Sequence, residues 1–308
     1  MRPAAGTLAA GRRSRGLSLG ALWRFARPHT IVGTTISVAA LYVIALSQGL
    51  RPGAVSLAGV MLAAWLVNVA IVGVNQIEDV ELDRVNKPWL PLAAGELAPA
   101  AARRLVCAAA LVALALAASQ GVLEVVAVAA ALAVGVAYSV PPLALRRSAP
   151  AALLSISLVR ALAVNLGVYG HFAGGTLDVP ALVWALTAFT LPFGAAIAVL
   201  KDVPDVAGDR AFRLRTFSVR FGPRPVFRLA VGWLALSYLA MAAAGLALAG
   251  EANVAIWIAG HLAALGALLG WARGARPDDP RRFTSFYMRV WLLFFCEYGL
   301  VALAAMLA

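Results

Sequence analysis

The chain has 308 residues, of which 62% are hydrophobic and only 13% are charged. Soluble domains average roughly 45–50% apolar and about 25% charged residues, so this composition excludes an ordinary soluble fold and predicts a polytopic membrane protein. A formal net charge of +12 would suggest a nucleic-acid partner in a soluble protein. In a membrane protein, basic residues instead mark the cytoplasmic loops, and we expect no nucleic-acid partner. Cys107 and Cys296 lie in apolar stretches and predict no disulfide framework.

The first twenty residues are rich in Arg, Gly and Ala and contain no apolar core of signal-peptide length. We predict a flexible basic cytoplasmic tail over residues 1–20 and a single transmembrane domain over residues 21–308. A helix needs about twenty apolar residues to cross a bilayer. By this criterion the sequence predicts nine spans: 29–48, 55–77, 101–118, 121–140, 151–171, 180–200, 226–249, 253–272 and 285–307.

Basic residues are unequally distributed between the predicted connections. They concentrate in the tail, in the loops after the second, fourth, sixth and eighth spans, and at the helix ends beside those loops. Arg51, in an alternate loop, and Arg160, inside a span, are the exceptions. Because basic loops stay in the cytoplasm, this pattern places the N-terminus in the cytoplasm and the C-terminus outside. We expect a multi-pass protein of the cell inner membrane.

An acidic run directly follows the second apolar span. Asn75, Asp79 and Asp83 recur every four residues, so a continuing helix would carry all three on one face. Carboxylates at the end of a membrane helix need a partner. Oxygen ligands of this type suit Mg²⁺, which completes its octahedron with water and substrate phosphate.

A second acidic run follows the sixth span, where Asp202, Asp205 and Asp209 also have the spacing of one helical face. Both spans end on the cytoplasmic side, so we expect the two runs to face one cavity. The chain has only two lysines, Lys87 and Lys201, and both lie in these regions, where they can act as point charges against phosphate. The runs predict a cation-bridged diphosphate site. Solvated helix ends and a chance placement of the lysines are the structural alternative.

The two acidic motifs resemble the aspartate-rich motifs of the UbiA-type intramembrane prenyltransferases, and the resemblance extends from about Leu22 to the end of the chain. Gln76 and the flanking segments resemble the homogentisate prenyltransferase branch, whose members join phytyl, geranylgeranyl or solanesyl diphosphate to homogentisate in tocopherol or plastoquinone synthesis. The segments that carry this resemblance are RPHT (27–30), DRVNKPWLPLAAGE (83–96), AYSVPPLALRR (137–147), VRALAVNLGVYGHF (159–172) and KDVPDVAGDRAFRLRTFSVRFG (201–222).

The resemblance implies an all-α fold with nine transmembrane helices around a central cavity, which is covered by a cytoplasmic cap. It implies two Mg²⁺ ions on the diphosphate, the first bound by Asn75, Asp79 and Asp83 and the second by Asp202, Asp205 and Asp209. It assigns phosphate contacts to Arg84, Lys87, Lys201 and Arg215. It also places Tyr138 beside the diphosphate as a catalytic residue, with Arg146 or Arg147 in reach.

Arg160 is the one arginine well inside a predicted span. An arginine at the bilayer centre costs about 2.5–3.5 kcal/mol on insertion scales, so Arg160 should face a polar cavity or a partner. One hypothesis is that Arg160 and the nearby Asn165 bind the aromatic acid substrate. The alternative is a structural pair between Arg160 and Glu297, the acid in the last span.

The sequence therefore predicts Mg²⁺-dependent transfer of a prenyl group from a prenyl diphosphate to a small aromatic acid, within the lipid bilayer. Homogentisate, with release of its carboxylate as CO₂, is the first choice of acceptor. The alternatives are 4-hydroxybenzoate or another phenolic acid and, outside enzymes, an ion-coupled transporter. Transporter sites lie near the bilayer midplane, whereas the acids here lie at one membrane face.

Overall fold

Helices account for almost all of residues 18–308, which are the residues that the computed structural model describes. In chain order they are α1 (Leu19–Phe25), α2 (Pro28–Ser47), α3 (Ala54–Glu78), α4 (Val80–Asn86), α5 (Pro99–Gln120), α6 (Val122–Ser139), α7 (Ala149–Phe172), α8 (Ala181–Lys201), α9 (Val206–Ala211), α10 (Phe217–Phe221), α11 (Pro223–Leu248), α12 (Val254–Arg273) and α13 (Pro280–Met306). Nine helices in the described range are long and apolar enough to cross a membrane: α2, α3, α5, α6, α7, α8, α11, α12 and α13. The predicted all-α polytopic fold is confirmed, with span boundaries that agree to within a few residues.

Helix α1 begins inside the predicted N-terminal tail. Ser18 caps it, because the Ser18 hydroxyl accepts a hydrogen bond from the backbone N–H of Ala21 at 3.1 Å. The part of the tail prediction that covers residues 1–17 lies outside the described residues. Helix α1 therefore begins two residues before the predicted start of the transmembrane domain.

Six of the spans form a closed ring around a cavity. In order around the ring, the neighbours are α2, α3, α6, α7, α8 and α13, and α13 packs back against α2. Small residues allow these helices to approach closely, as in other membrane bundles. Gly135 of α6 is one example, because a Cβ atom there would lie 2.5 Å from Cγ1 of Ile71 on α3. The remaining spans pack outside the ring, α5 on α3 and α6, and α11 and α12 against α8 and α13.

Helix α7 changes its winding halfway across the bundle. Its segment Val159–Val168 is a π-helix, which the sequence pattern did not predict. Wider π-helical turns occur frequently at functional sites. This segment carries Arg160 and Asn165, so the irregular turn sets the direction of both side chains.

Glu297 of α13 hydrogen-bonds to His261 of α12 rather than to Arg160. The distance from His261 Nε2 to Glu297 Oε1 is 3.0 Å, and both side chains are buried. His261 Nδ1 donates to the backbone carbonyl of Trp257 at 2.6 Å. The hypothesis of a structural Arg160–Glu297 pair is therefore wrong, because the Glu297 carboxyl is bonded to His261 and forms no ion pair with Arg160.

We expect His261→Ala to lower the free energy of unfolding by about 3–5 kcal/mol, because it leaves the Glu297 carboxyl buried without its partner. Thermal unfolding of the purified protein in detergent measures the loss. The matched control is His171→Ala, which removes a half-buried imidazole with a single hydrogen bond to Ser56. A loss of about 1 kcal/mol is expected for the control. Equal losses in the two variants would contradict the structural role of His261.

Candidate active site

Asp79 lies at the junction between α3 and α4. Its backbone leaves the helical region (φ −106°, ψ 13°), so the predicted continuous helix is interrupted here. The backbone N–H groups of Asp79, Asp83 and Lys87 nevertheless bond to the carbonyl four residues earlier, at 3.0, 2.7 and 2.7 Å. Asn75 Nδ2 also donates to Asp79 Oδ2 at 2.8 Å. The helical hydrogen bonds between residues four apart in the first motif are therefore kept across the interruption at Asp79.

The second motif does not lie on one helix. Helix α8 ends at Lys201, and α9 begins only after Asp205. Pro204 has no N–H and cannot continue the ladder of α8. Only Asp205 and Asp209 are joined by a helical hydrogen bond, from Asp209 N to Asp205 O at 3.0 Å. The prediction of a single helical face is wrong for Asp202, which belongs to the preceding turn.

The two acidic runs meet, as predicted, at the same end of the bundle. Lys87, at the end of the first run, forms an ion pair with Asp205 of the second. Asn86 Nδ2 donates to Asp209 Oδ1 at 3.3 Å. Gly208 permits this approach, because a Cβ atom at that position would lie 2.1 Å from Asn86 Oδ1.

Basic side chains from other helices complete the cluster. Arg146 forms an ion pair with Asp79, and Arg27 Nη2 donates to Asn75 Oδ1 at 3.2 Å. Sequence reasoning missed Arg27 as a site residue, although the RPHT segment contained it. Arg27 has a positive φ of 52°, and such strained backbones cluster at functional sites. That conformation precedes Pro28 and the first turn of α2.

Lys201 connects the acidic cluster to the interior of the bundle. Its Nζ donates to the Tyr138 hydroxyl at 3.1 Å and lies 3.4 Å from Asp202 Oδ1. Tyr138 and Lys201 both line the cavity between the ring helices. The pair therefore marks the boundary between the polar cluster and the apolar interior.

Burial changes the ionisation of the clustered acids. It raises the pKa of Asp83 to about 6, against the opposing charges of Arg27 and Lys87. It raises the pKa of Asp209 to about 7, and the neighbouring Asp202 and Asp205 carboxylates add to the effect. Added positive charge at this place would favour the ionised carboxylates. The cluster is thus suited to a cationic partner.

Two predicted phosphate contacts lie outside the cluster. The side chain of Arg84 is more than half exposed and pairs with Glu81 at 2.5 Å. Arg215 is exposed, and its backbone pairs with Ser148, which joins two loops on this side of the bundle. Within residues 18–308 neither arginine forms an ion pair with an acid of the two motifs. Charge and position in the sequence could not decide which way these side chains point.

The cavity has a volume of about 300 Å³ and a largely apolar lining supplied by the six ring helices. Arg160 lines it, with its guanidinium 4.7 Å from the ring centroid of Trp291 and 5.2 Å from that of Phe294. Within the described chain, Arg160 has no carboxylate partner within 4 Å. The indole nitrogen of Trp291 is likewise buried with no acceptor in that part of the chain. Within the described chain, the cavity wall therefore carries two groups without an acidic partner, the Arg160 guanidinium and the Trp291 indole N–H.

Asn165 is fully buried and is not part of the cavity lining. Its Nδ2 donates to Thr190 Oγ1 at 3.1 Å, and its Oδ1 accepts from the Tyr298 hydroxyl at 2.6 Å. Its amide is therefore used within the bundle. The structure therefore does not bring Asn165 to the cavity surface, and its observed contact is with the cavity residue Tyr298.

The donor set fits Mg²⁺ bound together with a diphosphate. In the range 18–308, no three His, Cys, Asp or Glu side chains are arranged as a ready-made metal cage. Asp79 and Asp205 are instead paired with Arg146 and Lys87. Mg²⁺ is ordinarily bound through one or two carboxylates plus substrate phosphates, and it takes oxygen ligands of the type that these motifs offer.

Comparison with known proteins agrees with this geometry. The UbiA prenyltransferase family matches residues 35–293. Homogentisate phytyltransferase of Synechocystis sp. is 43% identical over 92% of this chain and 95% of its own length. Homogentisate solanesyltransferase of Arabidopsis thaliana is 34% identical over 90% of this chain and 75% of its own length. The probable homogentisate phytyltransferase 2 of Oryza sativa subsp. japonica is 34% identical over 90% of this chain and 76% of its own length.

Solved structures share the fold. A UbiA homolog from Archaeoglobus fulgidus bound to GPP and Mg²⁺ superposes with a TM-score of 0.65 at 19% identity, over 92% of this chain and 99% of that one. Because the family model matches most of the sequence and a relative is 43% identical over almost its full length, this chain belongs to the UbiA prenyltransferase family.

Proposed function

We propose that the protein transfers a prenyl group from a prenyl diphosphate to homogentisate, with release of CO₂, in a Mg²⁺-dependent reaction. The observation that carries the proposal is the meeting of two acidic runs at one end of an apolar cavity that also contains Arg160. Relatives named as homogentisate prenyltransferases, at 34–43% identity, support the choice of acceptor.

The diphosphate would bind at the acidic cluster. Its two Mg²⁺ ions would be held by Asn75, Asp79 and Asp83 and by Asp202, Asp205 and Asp209. Mg²⁺ on a diphosphate neutralises the charge that develops on the leaving group as the allylic C–O bond breaks. Lys87, Lys201, Arg27 and Arg146 lie against these acids and would contribute positive charge to the phosphate oxygens.

The apolar cavity would hold the prenyl tail and keep water from the allylic cation. Tyr138 lines the cavity beside Lys201, whose Nζ lies 5.8 Å from the centroid of the tyrosine ring. The electron-rich ring would lie beside the allylic cation as the diphosphate departs. The electron-rich ring of the acceptor then attacks the allylic carbon, and the new C–C bond replaces the broken C–O bond. The alkylated ring carbon loses its proton. Release of CO₂ breaks the bond between the side-chain methylene and the carboxylate carbon, and a proton takes the place of CO₂ on that methylene.

Arg160 would bind the carboxylate of the aromatic acid. Its guanidinium lies over the rings of Trp291 and Phe294, with Cζ 4.7 and 5.2 Å from their centroids, and these contacts limit its freedom. A charged hydrogen bond of this kind orients the acceptor ring as well as attracting it. Arg84, Arg215 and Asn165 are not part of the proposed site.

The proposed orientation places the acidic cluster in the cytoplasm and the protein in the inner membrane. It rests on the concentration of Lys and Arg in the connections on the side of the cluster. On this side a diphosphate made in the cytoplasm reaches the cluster without crossing the bilayer.

A membrane-fraction assay tests the function. Homogentisate and 4-hydroxybenzoate are each combined with geranyl, geranylgeranyl, phytyl and solanesyl diphosphates, and product mass and CO₂ are measured. We expect prenylated, decarboxylated product from homogentisate only. We expect turnover to fall to background with a chelator and to return with excess Mg²⁺. Product from 4-hydroxybenzoate alone would overturn homogentisate as the acceptor. Full turnover in the presence of the chelator would overturn the dependence on Mg²⁺.

A further inference from the structure

One face of α6 forms a wall of the cavity from one end to the other. The residues of α6 that line the cavity recur at helical spacing: Glu124, Ala127, Val128, Ala131, Val134, Gly135 and Tyr138. From Glu124 to Tyr138 the helix advances by fourteen residues, which corresponds to about 21 Å. The residues between the two polar ends of this wall are small and apolar. Tyr138 forms the polar end beside the acidic cluster.

Glu124 forms the other polar end, far from the acidic cluster. It is only 2% exposed, and its Oε2 has no hydrogen-bond partner among residues 18–308. A glutamate in the first turn of a helix can turn back to cap the helix N-terminus. Among the described residues, Glu124 Oε2 accepts no hydrogen bond from the N-cap residue Gly121 or from any other group. The carboxyl instead lies against the cavity, where an unpaired polar group opposes folding.

The length of the wall corresponds to a definite length of prenyl tail. An extended chain advances by about 3.5 Å for every three bonds, so the four bonds of one isoprene unit span about 4.7 Å. About four units therefore fill the roughly 21 Å between Tyr138 and Glu124. A tail of four units whose diphosphate lies at the acidic cluster would bring its last carbons beside Glu124.

We propose that Glu124 sets the upper limit of prenyl length, at about four isoprene units, and this inference rests on the proposed function. A carboxyl at the end of the cavity requires water or another hydrogen-bonding partner. A tail that ends before Glu124 leaves room for that partner, whereas a longer tail covers the carboxyl with hydrocarbon. Leaving a buried polar group unpaired in this way weakens binding about tenfold to a hundredfold.

The test compares two substitutions of similar size at Glu124. E124Q keeps a hydrogen-bonding group, and E124M replaces it with an apolar one. The measured quantity is the kcat/KM of a nine-unit prenyl diphosphate divided by that of a four-unit one, with homogentisate as acceptor. We expect E124M to raise this ratio at least tenfold, and E124Q to leave it within about threefold of wild type.

Glu251 provides the matched control on the same side of the bundle. Its oxygens accept hydrogen bonds from the backbone N–H groups of Ala181 and Leu182 at 3.1 and 2.7 Å, and it does not line the cavity. E251M should therefore leave the ratio unchanged. A ratio in E124M within threefold of wild type, or an equal rise in E124Q and E124M, would overturn the proposal.

A binding measurement separates this inference from the proposed function. Dissociation constants of the two diphosphates, titrated against purified wild type and E124M with Mg²⁺ in detergent, need no acceptor and no turnover. The ratio of the two constants should shift at least tenfold in favour of the longer tail. A shift in binding without any transfer to homogentisate would refute the proposed acceptor alone. Unchanged binding with normal transfer would refute the role of Glu124 alone.

Discussion

Replacing Asp79 or Asp202 by Asn should lower kcat/KM for prenyl transfer by about a thousandfold, because each substitution removes a charged oxygen that holds the diphosphate cations. Removing a single group that stabilises charge developing in a transition state lowers kcat by about a hundredfold to a thousandfold. Asp79 and Asp202 would act through a divalent metal ion, so we expect an effect at the upper end of this range. Asn keeps the shape of Asp, so the helix junctions that carry these residues are preserved. The assay uses membrane fractions at saturating Mg²⁺, with expression and detergent behaviour compared with wild type.

Glu81→Gln is the matched control for these variants. Glu81 lies on α4 beside the first motif, but its side chain is 67% exposed and pairs only with the exposed Arg84. Its kcat/KM should stay within about twofold of wild type, since exposed ion pairs contribute roughly 0–1 kcal/mol. Full activity in Asp79→Asn or Asp202→Asn would refute the assignment of two metal sites.

Arg160→Met should raise KM for homogentisate by about one to two orders of magnitude, because a hydrogen bond to a charged group contributes about 1.5–3 kcal/mol. The methionine retains contact with Trp291 and Phe294, so the cavity wall is preserved. KM for the diphosphate should change little, because Arg160 lies apart from the acidic cluster. Steady-state kinetics with each substrate varied in turn measure the two constants separately.

A substrate analogue gives the Arg160 prediction its control. The methyl ester of homogentisate lacks the negative charge, so wild type and Arg160→Met should bind it with similar affinity. Arg289→Met serves as the matched variant, because Arg289 of α13 is an exposed arginine whose guanidinium also lies near an aromatic ring, 5.6 Å from that of Trp271. A parallel loss with acid and ester would show that Arg160 acts through packing rather than through its charge.

The acids of the first motif, which recur every four residues across the junction of α3 and α4, were the most predictable part of the site. Asn75, Asp79 and Asp83 stand out because acids are costly at the end of an apolar span, and their position relative to the membrane follows from counting spans. The even-numbered spans end on the same side, so the meeting of the first run with Asp205 followed from topology. The ion pair between Lys87 and Asp205 was not predictable, because both residues lie in connections with irregular backbone.

The sequence-based predictions of site residues failed where they depended on the direction of a side chain. Arg84 and Lys87 are three residues apart on one short segment, yet one points to solvent and the other to Asp205. Arg27 was missed because its role depends on a left-handed backbone that brings it to Asn75. Glu124 was missed because a single acid near a span end resembles an interfacial residue until the cavity behind it is known.

The sequence by itself determined the membrane class, the number and approximate limits of the spans, and the two acidic runs, because burial in lipid imposes length and composition on each helix separately. The tertiary structure decided which helices form the ring, which basic residues reach the acids, and that Arg160 and Glu124 face one cavity from opposite parts of its wall. These features depend on how helices rotate and pack against one another. Small-residue contacts such as Gly135 against Ile71 set that packing, and they leave no periodic signal in the chain.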